Sequence, residues 1–228
     1  TMAGIVATPK KLAALVKVYN ELIADANPSV IEMIMAQLTR SLSLGLDLAA
    51  FEGTGTENEP CGLSLTSGIT TNTSLGADGS VIANLDVIAE AIASIESANG
   101  RPSAIAMHPD VWGVIGKIKV SSAVNTNEPL LTAGTVADAI QHRLFGLPVF
   151  LTSQLSRTER RGNSTTCSSI YVFDASQIVC VRAGQMRLEL DKSRLFHYDQ
   201  SEIRGVLRAD WAFPNPSAIV RIVGVKTA

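Results

Sequence analysis

Residues 27–63, NPSVIEMIMAQLTRSLSLGLDLAAFEGTGTENEPCGL, contain the pattern that decides the fold. Apolar residues recur through 28–52 with a period close to 3.6, which is typical of an amphipathic helix. Asn27 suits the N-cap of this helix, Pro28 its first position and Gly53 its end. The sequence therefore predicts a helix over 28–52, about twice the average length in globular proteins.

The segment before this helix, TMAGIVATPKKLAALVKVYNELIADA (1–26), gives two conflicting local signals. Its apolar residues recur at helical spacing, and Thr8 and Pro9 suit a cap and a first helical position. The β-branched and apolar residues from Val16 to Tyr19 suit a strand equally well. On pattern alone, a helix is the favoured prediction.

The region from 53 to 143 mixes irregular, helical and strand signals. Residues 53–80 are rich in Gly, Thr and Ser and carry no strand prediction. A helix capped by Asn84, with its apolar face from Leu85 to Ile95, is predicted next, followed by a buried strand at 103–107. Residues 108–110 are predicted to form a turn in which Pro109 or Asp110 caps a short helix containing Trp112. A loop at 121–135 and a helix at 136–143 complete the region.

From Leu147 onward the sequence is typical of β-structure. The predicted strands are PVFLT (148–152), SIYVF (169–173), IVCVR (178–182), MRLEL (186–190), EIRGVLRADWAF (202–213) and AIVRIVGV (218–225). In 202–213 the odd positions are apolar or Gly, and most even positions are charged. That period of two predicts a long, half-buried strand. Helices and strands are not in regular alternation, which favours the α+β class.

The composition indicates a protein that associates with itself. Charged residues make up 18% of the chain and apolar residues 46%, against roughly 25% charged in ordinary soluble domains. No apolar run approaches the ~20 residues of a membrane helix, so burial against other subunits is the expected way to cover this surface. The formal net charge of −2 argues against sequence-specific nucleic-acid binding.

No catalytic or metal-binding motif is present in the sequence. Gly53-Thr54-Gly55-Thr56 lacks the GK[ST] ending of a phosphate loop and follows a predicted helix, not a strand. The three histidines share no metal-ligand spacing, and the three cysteines are predicted to be buried thiols in a reducing compartment. The opening residues lack a signal-peptide pattern, so export is not expected. We predict no cofactor, no metal and no enzymatic activity.

A basic run, Arg157, Arg160 and Arg161, lies in a polar segment that we predict to be a loop. A solvated loop is the favoured interpretation. The alternative is contact with a neighbouring subunit or with DNA.

Five stretches, in this order, resemble the major capsid proteins of tailed bacteriophages, whose fold is named after phage Hong Kong 97. They are 17–63, with its long helix and "GTGTENEPCGL" turn; AIAMHPDVWGVIGKIK (104–119), with Trp112; LFGLPVFLTSQL (144–155), with a G-x-P-V strand; YVFDASQIVCVRAG (171–184); and IRGVLRADWAFPNPSAIVRI (203–222), with Arg208 and Asp210 in an R-x-D pattern. Each motif alone is weak, but together they span almost the whole chain.

The resemblance implies a domain plan. Residues 1–16 would be a remnant of the extended (E) loop and a descending strand, followed by a short helix near 19–25. Residues 17–70 and 184–210 would form the peripheral (P) domain, with the spine helix at about 28–52. Residues 71–183 would form the axial (A) domain, to which 211–228 return. The N-terminal arm and most of the E-loop would lie upstream of Thr1.

The resemblance also implies what the protein does. It would be a virion protein, made in the host cytoplasm, that forms hexamers and pentamers of an icosahedral head around double-stranded DNA. Expected partners are other copies, a scaffold or delta domain, a protease, a portal and decoration proteins, with no membrane. Asn125, Asn127 and Glu128 would lie in a loop at the capsomer axis.

In the family's type member a Lys, an Asn and a catalytic Glu link subunits covalently. The Asn and the Glu align near Asp199 and Val206 here, so we predict no such link. The alternatives are an encapsulin-type compartment shell and, third, an unrelated α+β enzyme.

Overall fold

A computed structural model of the protein describes residues 4–25, 30–119 and 142–227. The helices are α1 (Asn20–Asp25), α2 (Val30–Glu52), α3 (Asp86–Ser97) and α4 (Pro109–Ile115). The strands are β1 (Lys10–Tyr19), β2 (Thr70–Asn72), β3 (Ala104–Met107), β4 (Arg143–Leu144), β5 (Leu147–Leu151), β6 (Glu159–Arg161), β7 (Ser164–Phe173), β8 (Val179–Arg182), β9 (Arg187–Asp191), β10 (Gln200–Ala212) and β11 (Ile219–Lys226). The chain forms two compact units: unit 1 comprises Thr1–Leu65 and Val179–Ala212, and unit 2 comprises Thr66–Ile178 and Phe213–Ala228. The predicted α+β class is confirmed.

The segment before the long helix forms a strand, so the helix favoured by its local pattern is wrong. All ten residues of β1 pair with β10 in one unbroken antiparallel register, from Lys10 opposite Ala209 to Tyr19 opposite Gln200. This long-range pairing overrides the local helical spacing. The strand and short helix implied by the family resemblance are confirmed, since α1 begins directly after β1.

The long helix is confirmed, and it ends at Glu52 as predicted. The next turn is held by backbone contact, because the Gly62 N–H donates to the Gly53 carbonyl at 2.9 Å. Asn27 and Pro28, the predicted start signals, lie outside the described residues. Within the described ranges, no helix is both long enough and apolar enough to cross a membrane.

Helix α2 packs on β10 of the unit 1 sheet at a glycine. Leu38 and Leu42 of α2 are buried, and a Cβ added to Gly205 would lie 2.7 Å from Leu42 Cδ1 and 3.0 Å from Leu38 Cδ2. Two methyl groups therefore occupy the space that a side chain at position 205 would need. Gly205 allows close approach of helix and sheet, and Ile203 beside it is fully buried.

Strand β10 is the centre of the unit 1 sheet. It pairs with β1 on one side and with β8 and β9 on the other, all antiparallel. Its odd positions from Ser201 to Ala209 are buried, Trp211 is partly buried, and Arg204 and Arg208 are exposed, as the period of two predicts. Glu202 and Asp210 depart from that pattern, because both are buried.

Unit 2 is built on a seven-stranded sheet in the order β2-β11-β7-β3-β5-β4, with β6 paired to β7. Strands β3 and β7 supply fully buried residues such as Ile105, Ile170 and Val172, and α3 packs its buried face into the same core. Strand β2, which was not predicted, pairs in parallel with Val220–Ile222. Its two threonines suit a strand, but a polar tripeptide is too short to predict one, so the pairing with β11 defines it.

Two helix caps differ from the predictions. Helix α3 begins at Asp86 after Leu85, which provides no side-chain cap, and Asn84 instead donates to the Asp86 carboxylate. At α4, His108 is the N-cap: its Nδ1 accepts from the Asp110 N–H at 3.1 Å. Asp110 therefore lies inside the helix, and neither it nor Pro109 is the cap.

The prediction that all three cysteines are buried is wrong. Cys167 is buried in β7, whereas Cys61 and Cys180 are exposed. Cys61 lies in the turn after α2, and Cys180 lies on the short strand β8 at the side of the sheet. At both positions, one side of the cysteine is not covered by any other described residue.

Candidate assembly surfaces

The arginines of the predicted basic run do not form one surface. Arg157 Nε lies 2.9 Å from Asp110 Oδ2, and both side chains are partly exposed. This ion pair connects the segment after β5 to the first turn of α4. Arg157 is therefore engaged within its own unit.

Arg160 and Arg161 lie in strand β6, so the predicted loop is wrong at these positions. Strand β6 is anchored to the sheet through Glu159, which accepts from Ser169 Oγ at 2.7 Å and lies 3.1 Å from Arg221 Nη2. Both members of this ion pair are largely buried. The anchor holds the hairpin against β7 and β11.

The two arginines of β6 have different environments. Arg161 is partly buried, and its Nε is inaccessible to solvent and without a hydrogen-bond partner in the structure. Its Cγ lies beside Gly224. Arg160 is exposed and makes no ion pair with any described residue. Of the three arginines, Arg160 is the one available to a partner.

Arg208 and Asp210, the R-x-D pattern, also have separate roles. Arg208 is exposed and lies directly opposite Lys11 across the β1–β10 register. Asp210 is buried, and its Oδ2 accepts from the Thr8 N–H at 2.6 Å. Asp210 thus holds Thr8, just before β1, against the sheet. Arg208 and Lys11 form an exposed pair of like charge across the two strands.

The remaining predicted positions are as follows. Asp199 has φ 50° in the turn before β10 and accepts from Asn20 Nδ2 at 2.6 Å, and Val206 lies opposite Ala13. The predicted axis loop, Asn125, Asn127 and Glu128, lies outside the described residues, as does 136–141 of the predicted helix. Arg143, its last predicted residue, is in β4. Residues 4–25, 30–119 and 142–227 contain no group of three or more metal-ligating side chains.

Apolar side chains exposed at one end of unit 1 were not singled out from the sequence. The turn between β9 and β10 exposes Phe196 (84%) and Tyr198, and the adjoining end of β1 exposes Tyr19. The two segments meet where the Asn20 N–H donates to the Asp199 carbonyl at 3.0 Å. Exposed aromatic side chains of this kind are typical of interaction surfaces.

The outer face of α2 exposes apolar side chains beside the charged Arg40 and Asp47. Met33, Leu44 and Leu48 are exposed on it. Partial desolvation raises the pKa of Asp47, which lies between the two leucines in sequence. Large apolar side chains left exposed together on one helix face suit burial in an interface.

Local electrostatics are dominated by burial and by hydrogen bonds. Burial lowers the pKa of His108, and Asp110 opposes this shift. The Ser176 hydroxyl lowers the pKa of Asp174, which caps a short 3₁₀ helix. Partial desolvation raises the pKa of the Cys180 thiol, although the residue as a whole is exposed.

A protein-family model described as the phage capsid family matches residues 1–224. The chain belongs to the phage capsid family. No curated protein matches its sequence. Among solved structures, the capsid of an empty GTA particle matches with a TM-score of 0.74 and 16% identity, covering 97% of this chain and 75% of that one. A chain of Microbacterium phage Oxtober96 matches with a TM-score of 0.73 and 15% identity, covering 96% and 73%.

An encapsulin shares the fold. The holo-SrpI encapsulin complex of Synechococcus elongatus matches with a TM-score of 0.67 and 11% identity, covering 96% of this chain and 75% of that one. The Hong Kong 97-like fold implied by the resemblance is confirmed, and the family match identifies a major capsid protein, a structural component of the virion. Capsids are assemblies of many copies, so self-association is part of its function.

Proposed function

We propose that this major capsid protein forms hexamers and pentamers that close into an icosahedral head around double-stranded DNA. The observation that carries the proposal is the family match over residues 1–224. Rings of this kind form through heterologous contacts, in which one surface of a copy meets a different surface of the next.

The surface chemistry supports permanent burial against sister copies. Only 18% of residues are charged, and unit 1 exposes Phe196, Tyr198 and the apolar side chains Met33, Leu44 and Leu48 of α2. An obligate interface of about 2,000 Å², of which roughly 65% is apolar, contributes about 30 kcal/mol of apolar burial before ordering costs are subtracted. Contacts repeated around a closed shell would therefore stabilise it strongly.

The proposed domain plan assigns 1–16 to the E-loop remnant, 17–70 and 184–210 to the P domain, and 71–183 and 211–228 to the A domain. Its support is that the compact units change at Leu65/Thr66, Ile178/Val179 and Ala212/Phe213, each within a few residues of a proposed boundary.

The finer roles belong to the same proposal. Arg160 is the proposed contact to a neighbouring subunit or to DNA, and Asn125, Asn127 and Glu128 would line the capsomer axis. Synthesis in the host cytoplasm, packaged DNA and the scaffold, protease, portal and decoration partners are parts of this proposal. Catalysis forms no part of it.

Overexpression of the gene product, followed by sedimentation and electron microscopy, tests the proposal. Closed icosahedral shells, or hexamers and pentamers, are the expected result. A protein that stays monomeric at high concentration would refute it. Packaged nucleic acid from a complete particle favours the phage head, whereas a co-purifying enzyme inside the shell favours an encapsulin-type compartment.

A further inference from the structure

The hairpin that joins β4 to β5 in unit 2 holds a phenylalanine in an unfavourable backbone conformation. Leu144 pairs directly with Leu147. The two-residue turn between them, Phe145-Gly146, has φ of 49° and 78°. Such turns favour Asn-Gly or Asp-Gly, because bulky L residues avoid positive φ. The other non-glycine residues with positive φ in the described ranges are an Asn and an Asp, which tolerate it.

Packing within the subunit does not account for this strained residue. The Phe145 side chain is 55% exposed, and Phe150, in β5 of the same hairpin, is 59% exposed. Strained residues concentrate at sites that contact a ligand or a partner. Aromatic side chains are also the usual anchors of protein interfaces. Phe145 therefore has the properties of an anchor for a partner.

Phe145 forms one wall of a groove between α3 and the hairpin, which we call the hairpin groove. Its apolar lining comes from both elements: Ala89, Ile92, Ala93, Phe145 and Leu147. Glu96 and Arg101 also line it. Arg101 is exposed, and so is Arg143 of β4, which makes no ion pair with any described residue. The hairpin groove thus joins an apolar floor to a rim in which cations outnumber anions.

The opposite edge of the same sheet carries acidic side chains. The strand order places β4 at one edge and β2 at the other. Residues 73–81, which follow β2 and which we call loop 73–81, expose Asp78 and the apolar Val81 (46%). Glu90 of α3 is exposed beside this loop, since it accepts from Ser74 Oγ at 3.0 Å.

Cations are scarce near loop 73–81. The sequence contains no Lys or Arg from residue 41 to residue 100. Arg161 in β6 and Lys226 in β11 approach the loop, but both are partly buried. The exposed charges of Asp78 and Glu90 therefore dominate this edge, and they complement the basic rim of the hairpin groove.

We infer that the hairpin groove of one copy receives loop 73–81 of the neighbouring copy. Phe145 packs on Val81 in this contact, and Arg143 lies beside Asp78. Charge complementarity of this kind fixes the orientation of two surfaces and speeds their encounter. The contact is heterologous, because the two surfaces lie at opposite edges of the sheet, and it can therefore propagate around a ring. The inference rests on the proposed hexamers and pentamers.

Cysteine crosslinking between two singly substituted chains tests the inference. Ala93 lines the hairpin groove and Ala77 lies in loop 73–81, and both are exposed. Ala93→Cys chains are co-assembled with Ala77→Cys chains, the particles are mildly oxidised, and the disulfide-linked peptides are identified by mass spectrometry. A disulfide between the two introduced thiols must join two copies, because each chain carries one substitution. Pairs that involve Cys61 or Cys180 give the background.

The matched control replaces Ala77→Cys by Thr158→Cys, which is exposed and lies outside both the hairpin groove and loop 73–81. We expect at least about tenfold more of the linked peptide from the Ala77 mixture, because docking raises the local concentration of the two thiols. Equal yields, or no link in particles of normal abundance, would overturn the inference alone. If the unsubstituted chain forms no particles, the proposed function itself fails.

Phe145→Asn provides a second test, in which stability and assembly respond differently. Asn suits the turn, so the melting temperature of the unassembled subunit should stay unchanged or rise by up to about 4 °C. Particle yield should fall by about tenfold or more, because a few anchors carry most of the binding energy of an interface. Phe145→Tyr keeps the ring and should assemble normally. Normal particle yield from Phe145→Asn would contradict the inference, and so would a lower melting temperature, since the ring would then stabilise its own hairpin.

Discussion

Gly205 is the position at which the packing of α2 on β10 can be tested most directly. In Gly205→Ala the new Cβ would lie 2.7 Å from Leu42 Cδ1 and 3.0 Å from Leu38 Cδ2, against about 3.5–4.0 Å for an unstrained carbon contact. Leu42 must therefore move by almost 1 Å in a buried site. Overpacking of this kind costs about 1–3 kcal/mol, and the stiffer alanine backbone returns about 0.5–1 kcal/mol. We expect a net destabilisation of about 1–2 kcal/mol.

Urea unfolding followed by tryptophan fluorescence measures this change. The chain has two tryptophans, Trp211 in unit 1 and Trp112 in unit 2, so a Trp112→Phe background makes Trp211 the reporter of the unit that contains Gly205. With a slope of about 1–3 kcal/mol per M, the expected loss lowers the urea midpoint by roughly 0.5–1 M.

Gly113 and Leu42 supply the controls. Gly113 lies in α4 with nothing within 4 Å of its added Cβ, so Gly113→Ala, followed through Trp112, should stabilise unit 2 by up to about 1 kcal/mol. In a Leu42→Ala background the cost of Gly205→Ala should fall by at least half, because the nearer methyl group is gone. An unchanged cost in that background, within about 0.5 kcal/mol, would refute the steric explanation.

Three further predictions concern turns and caps. The first is His108→Asn, which keeps a cap acceptor without titrating and whose stability should vary less with pH than that of wild type. Burial lowers the folded-state pKa of His108, so the unfolded chain binds the proton first, with Asp110 and Arg157 the charged neighbours. Wild-type stability is therefore full above about pH 6.5 and declines as pH falls through that value. Asp174→Ala should lower the free energy of unfolding by about 0.5–2 kcal/mol at neutral pH, measured by chemical denaturation. Hydrogen bonds from Ser176 lower the pKa of Asp174, so the difference from wild type should vanish as pH falls below that pKa. Gly162→Ala should unfold the β6–β7 hairpin or cost more than about 2 kcal/mol in a thermal melt, since Gly162 has φ 53° and its Cβ would overlap Asp78; equal melting of variant and wild type would contradict this.

Elements with strong local signals were predictable from the sequence. Helix α2 has a long regular period and a glycine at its end, and β10 has a clear period of two. Segments whose structure depends on pairing with distant strands were not predictable from the sequence. The residues of β1 carry helical spacing, and only the ten-residue pairing with β10 makes them a strand. Strand β2 is a polar tripeptide in which two threonines are too short a signal to predict a strand, and its pairing with β11 specifies it.

The candidate surfaces were predictable only as residue types. Three arginines close in sequence indicate a basic surface, but Arg157 is engaged by Asp110, and Arg161 turns to the opposite side of β6 from Arg160. Strand alternation explains the second separation, once β6 is known to be a strand. Exposure of Phe196 and Tyr198 depends on the turn before β10, in which Asp199 adopts positive φ, and no local pattern predicts that turn.

The interleaving of the two units along the chain constrains how the subunit is made on the ribosome. Unit 1 cannot close its sheet until β10 is synthesised, and unit 2 lacks the partner of β7 and β2 until β11 follows. Each unit therefore completes its sheet only when one of the last two strands in chain order, β10 or β11, has been made. Until then the nascent chain exposes unpaired strand edges and apolar faces, so the interval before β10 and β11 are made is the one in which aggregation competes most with folding.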